Sequence, residues 1–113
     1  MKYALLGGLV TSLMLGTAGG AFAVDITIES WRNDDLSIWQ DSIIPAFEAQ
    51  HPDINVIFSP TAPTQYNAAL NAKLEGGTAG DLITCRPFDA ALDIYNKGYL
   101  ADLTGLSSLD SFS

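Results

Sequence analysis

The chain of 113 residues carries 13 acidic and 5 basic side chains, a formal charge of −8, and 48% of its residues are hydrophobic. This composition excludes an intrinsically disordered protein, which is poor in apolar residues, and a nucleic-acid binder, which needs a basic surface. The single cysteine excludes an intramolecular disulfide framework and a cysteine-rich zinc site. The length allows at most one small domain.

Residues 1–23 are typical of a secretory signal peptide. Lys2 supplies the basic start, an apolar block runs from Ala4 to Leu15, and Ala21-Phe22-Ala23 forms a cleavage site of the A-x-A kind. A membrane anchor is the alternative, but an anchor usually needs about 20 strongly apolar residues, and this block is shorter. We therefore expect cleavage after Ala23 and export. Because no cysteine lies near that point, we do not expect a lipoprotein.

The first strand and the first helix follow the predicted cleavage point. Val24 to Ser30 alternates and is rich in β-branched residues, which predicts a strand. Four apolar residues then recur at helical spacing, with polar residues on the other face: Leu36, Trp39, Ile43 and Phe47, opposite Gln40, Asp41 and Glu48. Pro45 is expected to kink or divide this helix, and His51-Pro52 ends it.

Two further strand–helix pairs complete the pattern. Ile54 to Phe58 is the second predicted strand, and the helix after it, from Thr64, carries Tyr66, Leu70 and Leu74 on one face and ends at Gly76-Gly77. Asp81 to Thr84 is the third predicted strand. We expect Asp89 to cap a third helix, whose inward residues and C-terminal glycine are Leu92, Ile94, Tyr95 and Gly98.

Alternating strands and helices joined by short loops predict an α/β fold, with a parallel sheet flanked by helices. Right-handed crossovers give the strand order 2-1-3, with a topological switch point between strands one and three. Ligands in such sheets bind beyond the carboxyl ends of the strands at that point. The sequence therefore places a candidate site in the loops that follow the three strands.

The candidate residues of these loops suit a neutral, polyhydroxylated ligand. Aromatic rings can lie against the C–H faces of a sugar, while guanidinium, amide and carboxylate groups can meet paired hydroxyls. The candidates are Trp31, Arg32, Asn33, Asp34, Thr61, Tyr66, Arg86, Phe88 and Asp89.

Several of these residues have structural alternatives. Asp34, Asp35 and Asp89 can cap helices, and for the latter two we favour that role over ligand contact. Tyr66 fits the core as well as the rim of the candidate site, which is the border formed by the loops after the three strands. Trp39 is expected in the core, and Cys85 is expected to be a buried thiol at a strand end.

The sequence contains no catalytic constellation. It has no Gly-x-Ser-x-Gly elbow, and its single histidine, His51, has no identifiable nucleophile partner. The glycine-rich stretch at residues 76–80 precedes a strand and lacks the lysine of a phosphate loop, which favours a turn. We therefore expect neither an enzyme nor a cofactor or metal site.

The chain resembles the N-terminal part of an extracellular solute-binding protein of the carbohydrate-transporting ABC importers, the family that includes the maltose-binding proteins. The resemblance covers nearly all of residues 25–103. It rests on the order and spacing of Ile26–Trp31, Pro45–Glu48 with His51–Val56, Tyr66–Leu74, Gly80–Thr84 and Asn96–Leu103.

This resemblance implies a lobe of the periplasmic-binding-protein type II fold in a monomeric protein of two lobes. Such proteins close on a sugar between their lobes and then deliver it to the permease subunits of the importer. Trp31 to Asp34 and Arg86 to Asp89 would be the sugar loops of the first lobe.

Family members are several times longer than this chain, so the resemblance implies that residues 24–113 are a partial first lobe without the hinge and second lobe. We expect them to bind sugar very weakly or not at all when alone. Two alternatives remain: a small exported module of flavodoxin-like shape, and a fragment of an exported enzyme.

Overall fold

The computed structural model describes residues 22–112 and contains one three-stranded parallel sheet. Its strands are β1 (Val24–Ser30), β2 (Ile54–Pro60) and β3 (Leu82–Ile83). β1 lies in the middle, in the order β2-β1-β3, with Val24 opposite Ile54 and Ile28 opposite Leu82. The predicted α/β fold and strand order are confirmed.

Pro45 interrupts the first helical region by means of a π turn. A 3-10 turn (Asn33–Asp35) leads into α1 (Leu36–Ile38), five π-helical residues (Trp39–Ile43) follow, and α2 (Ile44–Gln50) completes the region. The N–H of Ile44 donates to the carbonyl of Trp39, five residues back. This wider turn lies just ahead of Pro45, whose ring would crowd the preceding turn of a regular helix.

α2 brings one polar side chain to the sheet beside the apolar ones that the spacing predicts. Glu48, predicted on the outer face, is half-buried, and its carboxylate accepts a hydrogen bond of 2.8 Å from the N–H of Val56 in the edge strand β2. The prediction for Glu48 is therefore wrong. Trp39, which is expected in the core, is half-buried, and its ring is stacked 4.8 Å from that of buried Phe58.

The buried core lies on the other face of the sheet, beneath α3 (Tyr66–Glu75). Tyr66 and Leu70 of α3 form it with Ile94, and Leu74 packs against it, as the spacing of α3 predicts. The helix ends at Gly76-Gly77, where Gly77 has a φ of 69° and the N–H of Thr78 reaches back to the carbonyl of Lys73 at 2.8 Å. Glycine adopts this φ without steric cost.

The last helix, α4 (Asp89–Asn96), differs from its prediction in two respects. Asp89 is its first residue and makes no capping hydrogen bond with its side chain, because the cap position belongs to Phe88. Of the three predicted inward residues only Ile94 is buried, while Leu92 and Tyr95 are exposed. The inward stripe consists instead of Ala90, Ala91 and Ile94, which follow the spacing of one helical face.

Cys85 is exposed, so the prediction of a buried thiol is wrong. β3 ends at Ile83, and Cys85 lies in the loop beyond the sheet. The predicted signal peptide falls outside the described residues except for Phe22 and Ala23. Within residues 22–112, no helix combines the length and the apolar character that crossing a membrane requires.

Candidate functional site

The loops that follow the three strands meet at one edge of the sheet. At the end of β1, the carbonyl of Ser30 accepts the N–H of Thr61 at 2.8 Å, and the carbonyl of Glu29 accepts the N–H of Thr84 at 2.9 Å. The segments that follow β2 and β3 are therefore hydrogen-bonded to the end of β1, one on each side. This is the edge at which the strand order reverses, as the sequence predicts.

Trp31 and Arg86 are in direct contact at this edge. The guanidinium carbon of Arg86 lies 4.8 Å from the centroid of the Trp31 ring, within the range of a cation–π interaction. Arg86 also donates a hydrogen bond of 3.1 Å to the carbonyl of Pro63. One side chain therefore connects the loops after all three strands, and the prediction that Trp31 and Arg86 share a rim is confirmed.

Trp31 belongs to the rim and to the core at the same time. It is half-buried and packs against the cluster of Tyr66, Leu70 and Ile94. Its indole Nε1 and the Nε of Arg86 are buried and have no hydrogen-bond partner among residues 22–112. Two donors at the same edge are thus left unpaired, which is uncommon for buried polar groups.

Arg32 holds the two carboxylates of the first loop. Its Nε and a terminal nitrogen each lie 2.9 Å from an oxygen of Asp34, and the same terminal nitrogen lies 3.2 Å from Asp35. The hydrogen bond from Arg32 lowers the pKa of Asp34, and the same contact raises the pKa of Arg32. Asp35 occupies the N-cap position of α1 but makes no capping hydrogen bond with its side chain, so its expected capping role is wrong, and Asp34 makes no such bond either. Arg32 binds both carboxylates, so neither is left to accept a hydrogen bond from a backbone N–H at the start of the helix.

The remaining candidates occupy different surroundings. Asn33 and Phe88 are exposed, and Thr61 is half-buried at the end of β2. Asp89 lines a groove between α3 and α4 together with Asn67, Asn71 and Asp93. The structure therefore brings Trp31, Arg32, Asp34, Thr61 and Arg86 to one edge, while Asp89 lines that separate groove.

Tyr66 lies under the rim, and its expected direct contact with a ligand is corrected. The residue is 1% exposed, and its hydroxyl donates to the carbonyl of Thr84 at 2.7 Å. It also lies 3.4 Å from the carbonyl of Glu29. Because the hydroxyl is buried and already bonded, Tyr66 supports the ends of β1 and β3 from below.

An ion pair between a buried carboxylate and a partly exposed lysine beneath the same edge was not predicted. Glu29 is 3% exposed, and its carboxylate receives Lys73 Nζ at 2.9 and 3.0 Å and the N–H of Gly80 at 3.1 Å. The sequence carried a signal for it. Lys73 lies three residues after Leu70, on the buried face of α3, whereas Glu29 occupies a polar position of the alternating strand β1 and gives no such signal.

The arrangement is suited to binding and offers no catalytic machinery in the described part of the chain. Between residues 22 and 112 there is no cluster of three or more His, Cys, Asp or Glu side chains arranged to hold a metal ion. What the edge presents is an aromatic ring, two guanidinium groups and carboxylates, which can make directional hydrogen bonds to a polar ligand.

Comparisons with known proteins agree with this picture. The chain matches, over 77% of its length, an extracellular solute-binding protein of family 1 from Alicyclobacillus acidocaldarius, with a TM-score of 0.66 and 23% identity. It matches a sugar transporter from Rhizobium etli in an open conformation over 80% of its length, with a TM-score of 0.63 and 22% identity. The match spans 22% and 23% of those two longer chains. No curated relative matches the chain.

The family assignment comes from the sequence itself. The profile of one family matches residues 30–110, which is most of the chain and includes all three loops of the candidate site. The members of this family bind solutes and are not a class of enzymes. The chain belongs to the bacterial extracellular solute-binding protein family.

Proposed function

We propose that this chain forms part of the first lobe of a protein that binds a sugar, or a related neutral solute, outside the cytoplasm and delivers it to an ABC importer permease. The contact between Trp31 and Arg86 carries the proposal, because it places an aromatic ring and a guanidinium group at the switch point of a parallel sheet. The family and the fold support solute binding, and the composition of the rim favours a sugar.

In this proposal Trp31, Arg32, Asn33, Asp34, Thr61, Arg86 and Phe88 form the ligand side of the lobe, and Asp89 borders it. Arg86 and Arg32 present N–H groups to the ring hydroxyls. Tyr66 positions the strand ends from below. The signal peptide is removed after Ala23, and the mature protein works as a monomer in the periplasm without a lipid anchor.

Sugar binding is tested on the complete gene product that contains this chain, without its signal peptide. Isothermal titration calorimetry with D-glucose, D-galactose, D-xylose, maltose and cellobiose is expected to give a micromolar dissociation constant for at least one of them. L-Glutamate and inorganic phosphate serve as non-sugar controls. If none of the five sugars binds, the proposed ligand class is wrong.

The role of the rim is tested with the two tryptophans of the chain. Trp31→Ala is expected to weaken sugar binding at least tenfold, which corresponds to about 1.4 kcal/mol. Trp39→Phe is the matched control, because Trp39 stacks on Phe58 on the other face of the sheet. Equal losses in the two variants would mean that Trp31 acts through the stability of the lobe.

Delivery to a permease is tested in proteoliposomes that contain a carbohydrate ABC importer from the same organism. The sugar-loaded protein is expected to stimulate ATP hydrolysis by the importer, and the protein without sugar is expected to stimulate it less. Sugar binding without any stimulation would leave the binding role intact and contradict the transport role.

A further inference from the structure

The groove between α3 and α4 is separate from the ligand side of the lobe. Its volume is about 280 Å³, just below the range of about 300–1,000 Å³ that is usual for small-molecule pockets. Each helix lines it with two polar residues four positions apart, which places both on one helical face: Asn67 and Asn71 of α3, and Asp89 and Asp93 of α4. A groove of this size and polarity fits one side chain of a partner better than a whole ligand.

The groove begins at the edge of the sheet that carries the candidate site. Asn67 is the second residue of α3, and Asp89 is the first residue of α4. Each of these helices follows a strand of the parallel sheet, so both begin at the edge where the strands end. A partner that receives a ligand from this edge would therefore come into contact with the groove as well.

Part of the groove is apolar. Leu70 and Ile94 line it and are only 3% and 5% exposed, and Ala90, which is half-buried, lines it too. The groove therefore combines apolar surface with polar groups. A long basic side chain has the matching character, because its methylene stem packs on apolar surface while its charged end makes polar contacts.

The polar groups of the groove include acceptors that the described chain leaves unused. The Oδ1 of Asn71 is buried and has no hydrogen-bond partner among residues 22–112. The carboxylate of Asp89 makes no capping hydrogen bond, and no ion pair in the same range. Asp93 pairs with Lys97 at 2.8 Å, but both side chains are exposed, and exposed pairs of this kind are weak. Arginine, with five N–H donors and no acceptor, complements such a set.

The charge of the chain favours the same kind of partner. Its 13 acidic side chains outnumber its 5 basic ones, and two of the carboxylates line the groove. A surface of this sign attracts a basic partner and repels an acidic one. We propose that the groove between α3 and α4 receives a basic side chain, preferably an arginine, from the outer face of the importer permease. This inference rests on the proposed function, and it adds the surface and the charge by which the lobe docks.

The test uses the complete gene product, loaded with sugar, in the proteoliposome assay described above. Asp93→Lys is expected to raise the protein concentration that gives half-maximal ATPase stimulation by about tenfold or more, because it sets a positive charge against the incoming one. Asn71→Leu removes the unpaired acceptor without changing the charge and is expected to raise that concentration about threefold. Asp41→Lys is the matched control and is expected to stay within about twofold, because it makes the same charge change on an exposed residue of the π turn, on the other face of the sheet.

Two further measurements separate docking from folding and from sugar binding. Calorimetry is expected to give sugar affinities within twofold of the wild type for all three variants. Raising the NaCl concentration from about 50 to about 300 mM is expected to weaken stimulation by the wild type more than stimulation by Asp93→Lys, since salt screens the attraction between exposed charges. A purely structural effect of the substitution would leave this salt dependence unchanged.

Each outcome decides one part of the proposal. If Asp93→Lys stimulates ATP hydrolysis as the wild type does, the groove is not a docking surface, although the proposed function stands. If Asp41→Lys is equally impaired, the net charge of the protein acts in place of the groove. If Asn71→Leu matches the wild type, no side chain of the permease enters the groove. If the sugar-loaded wild type gives no stimulation, the proposed delivery falls and the docking partner falls with it, while calorimetry still decides whether the protein binds sugar.

Discussion

At the scale of single residues, the hydroxyl of Tyr66 helps to fix the geometry of the candidate edge. It is bonded to the carbonyl of Thr84 and lies close to that of Glu29, so it connects the ends of β3 and β1 from below. Trp31 begins the loop after one of these ends, and Arg86 lies in the loop after the other. The separation of the two ends therefore helps to set how the two side chains meet.

Tyr66→Phe is expected to lower the free energy of unfolding by about 1–2 kcal/mol, since it removes one buried hydrogen bond and leaves a carbonyl unpaired. Urea unfolding of the complete gene product measures this loss. Tyr95→Phe is the matched control, because Tyr95 is exposed and its hydroxyl makes no bond in the described part of the chain. A loss of equal size in the control would contradict the role assigned to Tyr66.

The ionisation of Tyr66 gives a separate prediction about pH. Burial is the main reason that the pKa of Tyr66 rises from its usual 10 to about 12, and the nearby charge of Glu29 adds to the rise. A raised pKa means that the folded state favours the neutral phenol, so this contribution is complete below pH 10. It is lost as the pH rises from about 10 to about 12.

The stability difference between the wild type and Tyr66→Phe is therefore expected to shrink over that pH range, because phenylalanine does not ionise. Urea unfolding of both proteins at pH 8, 10 and 11 measures this difference directly. Because both proteins contain the same lysines, the effect of lysine titration on stability cancels in the difference. A difference that stays constant to pH 11 would contradict the assigned burial of the phenol.

At the scale of elements, the ion pair of Glu29 and Lys73 fastens α3 to β1. Lys73→Met is expected to lower the free energy of unfolding by about 2–4 kcal/mol, because it leaves a buried carboxylate with a single N–H partner. The double variant Lys73→Met with Glu29→Gln is expected to recover part of this loss. A double-mutant cycle by urea unfolding measures the coupling, and a coupling near zero would contradict the pair.

The segment that leads into β3 passes close to β1 at Gly80. A Cβ at this position would lie 2.8 Å from the carbonyl oxygen of Thr27 and 3.0 Å from the side chain of Glu29. Gly80→Ala is therefore expected to lower the free energy of unfolding by about 1–3 kcal/mol, as overpacking does. Gly105→Ala is the control, because a Cβ there meets no atom within 4 Å. Equal effects in thermal melts would show that β1 does not crowd Gly80.

The sequence predicts regular elements well and local irregularities poorly. The bounds of β1, the strand order and the buried face of α3 follow from periodicity and from the handedness of crossovers. The π turn before Pro45 does not, because a proline signals an interruption without specifying its form. The inward face of α4 is also missed, since its alanines carry little apolar signal.

The candidate site likewise has features that the sequence predicts and features that it does not. Topology alone brings the loops of Trp31 and Arg86 to one edge, and their contact follows. The capture of Asp34 and Asp35 by Arg32 depends on side-chain rotamers, and the positive φ of Phe88 depends on how the loop joins α4. Neither leaves a periodic pattern in the sequence.

At the scale of the whole molecule, the described chain leaves much apolar surface open. A groove of about 260 Å³ between the sheet and the first helical region is lined entirely by apolar residues, among them Ile43, Phe47 and Leu82, the last of which is 56% exposed. β3 is only two residues long and pairs on one side. Open apolar grooves and short, unpaired edges are typical of a surface that other chain segments cover.

Residues 24–113 in isolation are therefore expected to be marginally stable and to bind sugar only weakly. A chain of this length buries roughly two-thirds of its unfolded surface, and here the fully buried apolar side chains are few. Circular dichroism is expected to show a broad melt at low temperature, with strong binding of the dye ANS to the groove. Calorimetry with the five sugars is expected to show no micromolar affinity, since in the proposed function the edge at Trp31 and Arg86 supplies only one wall of the pocket. A cooperative melt at high temperature, or micromolar binding, would instead show that these residues form a self-sufficient receptor.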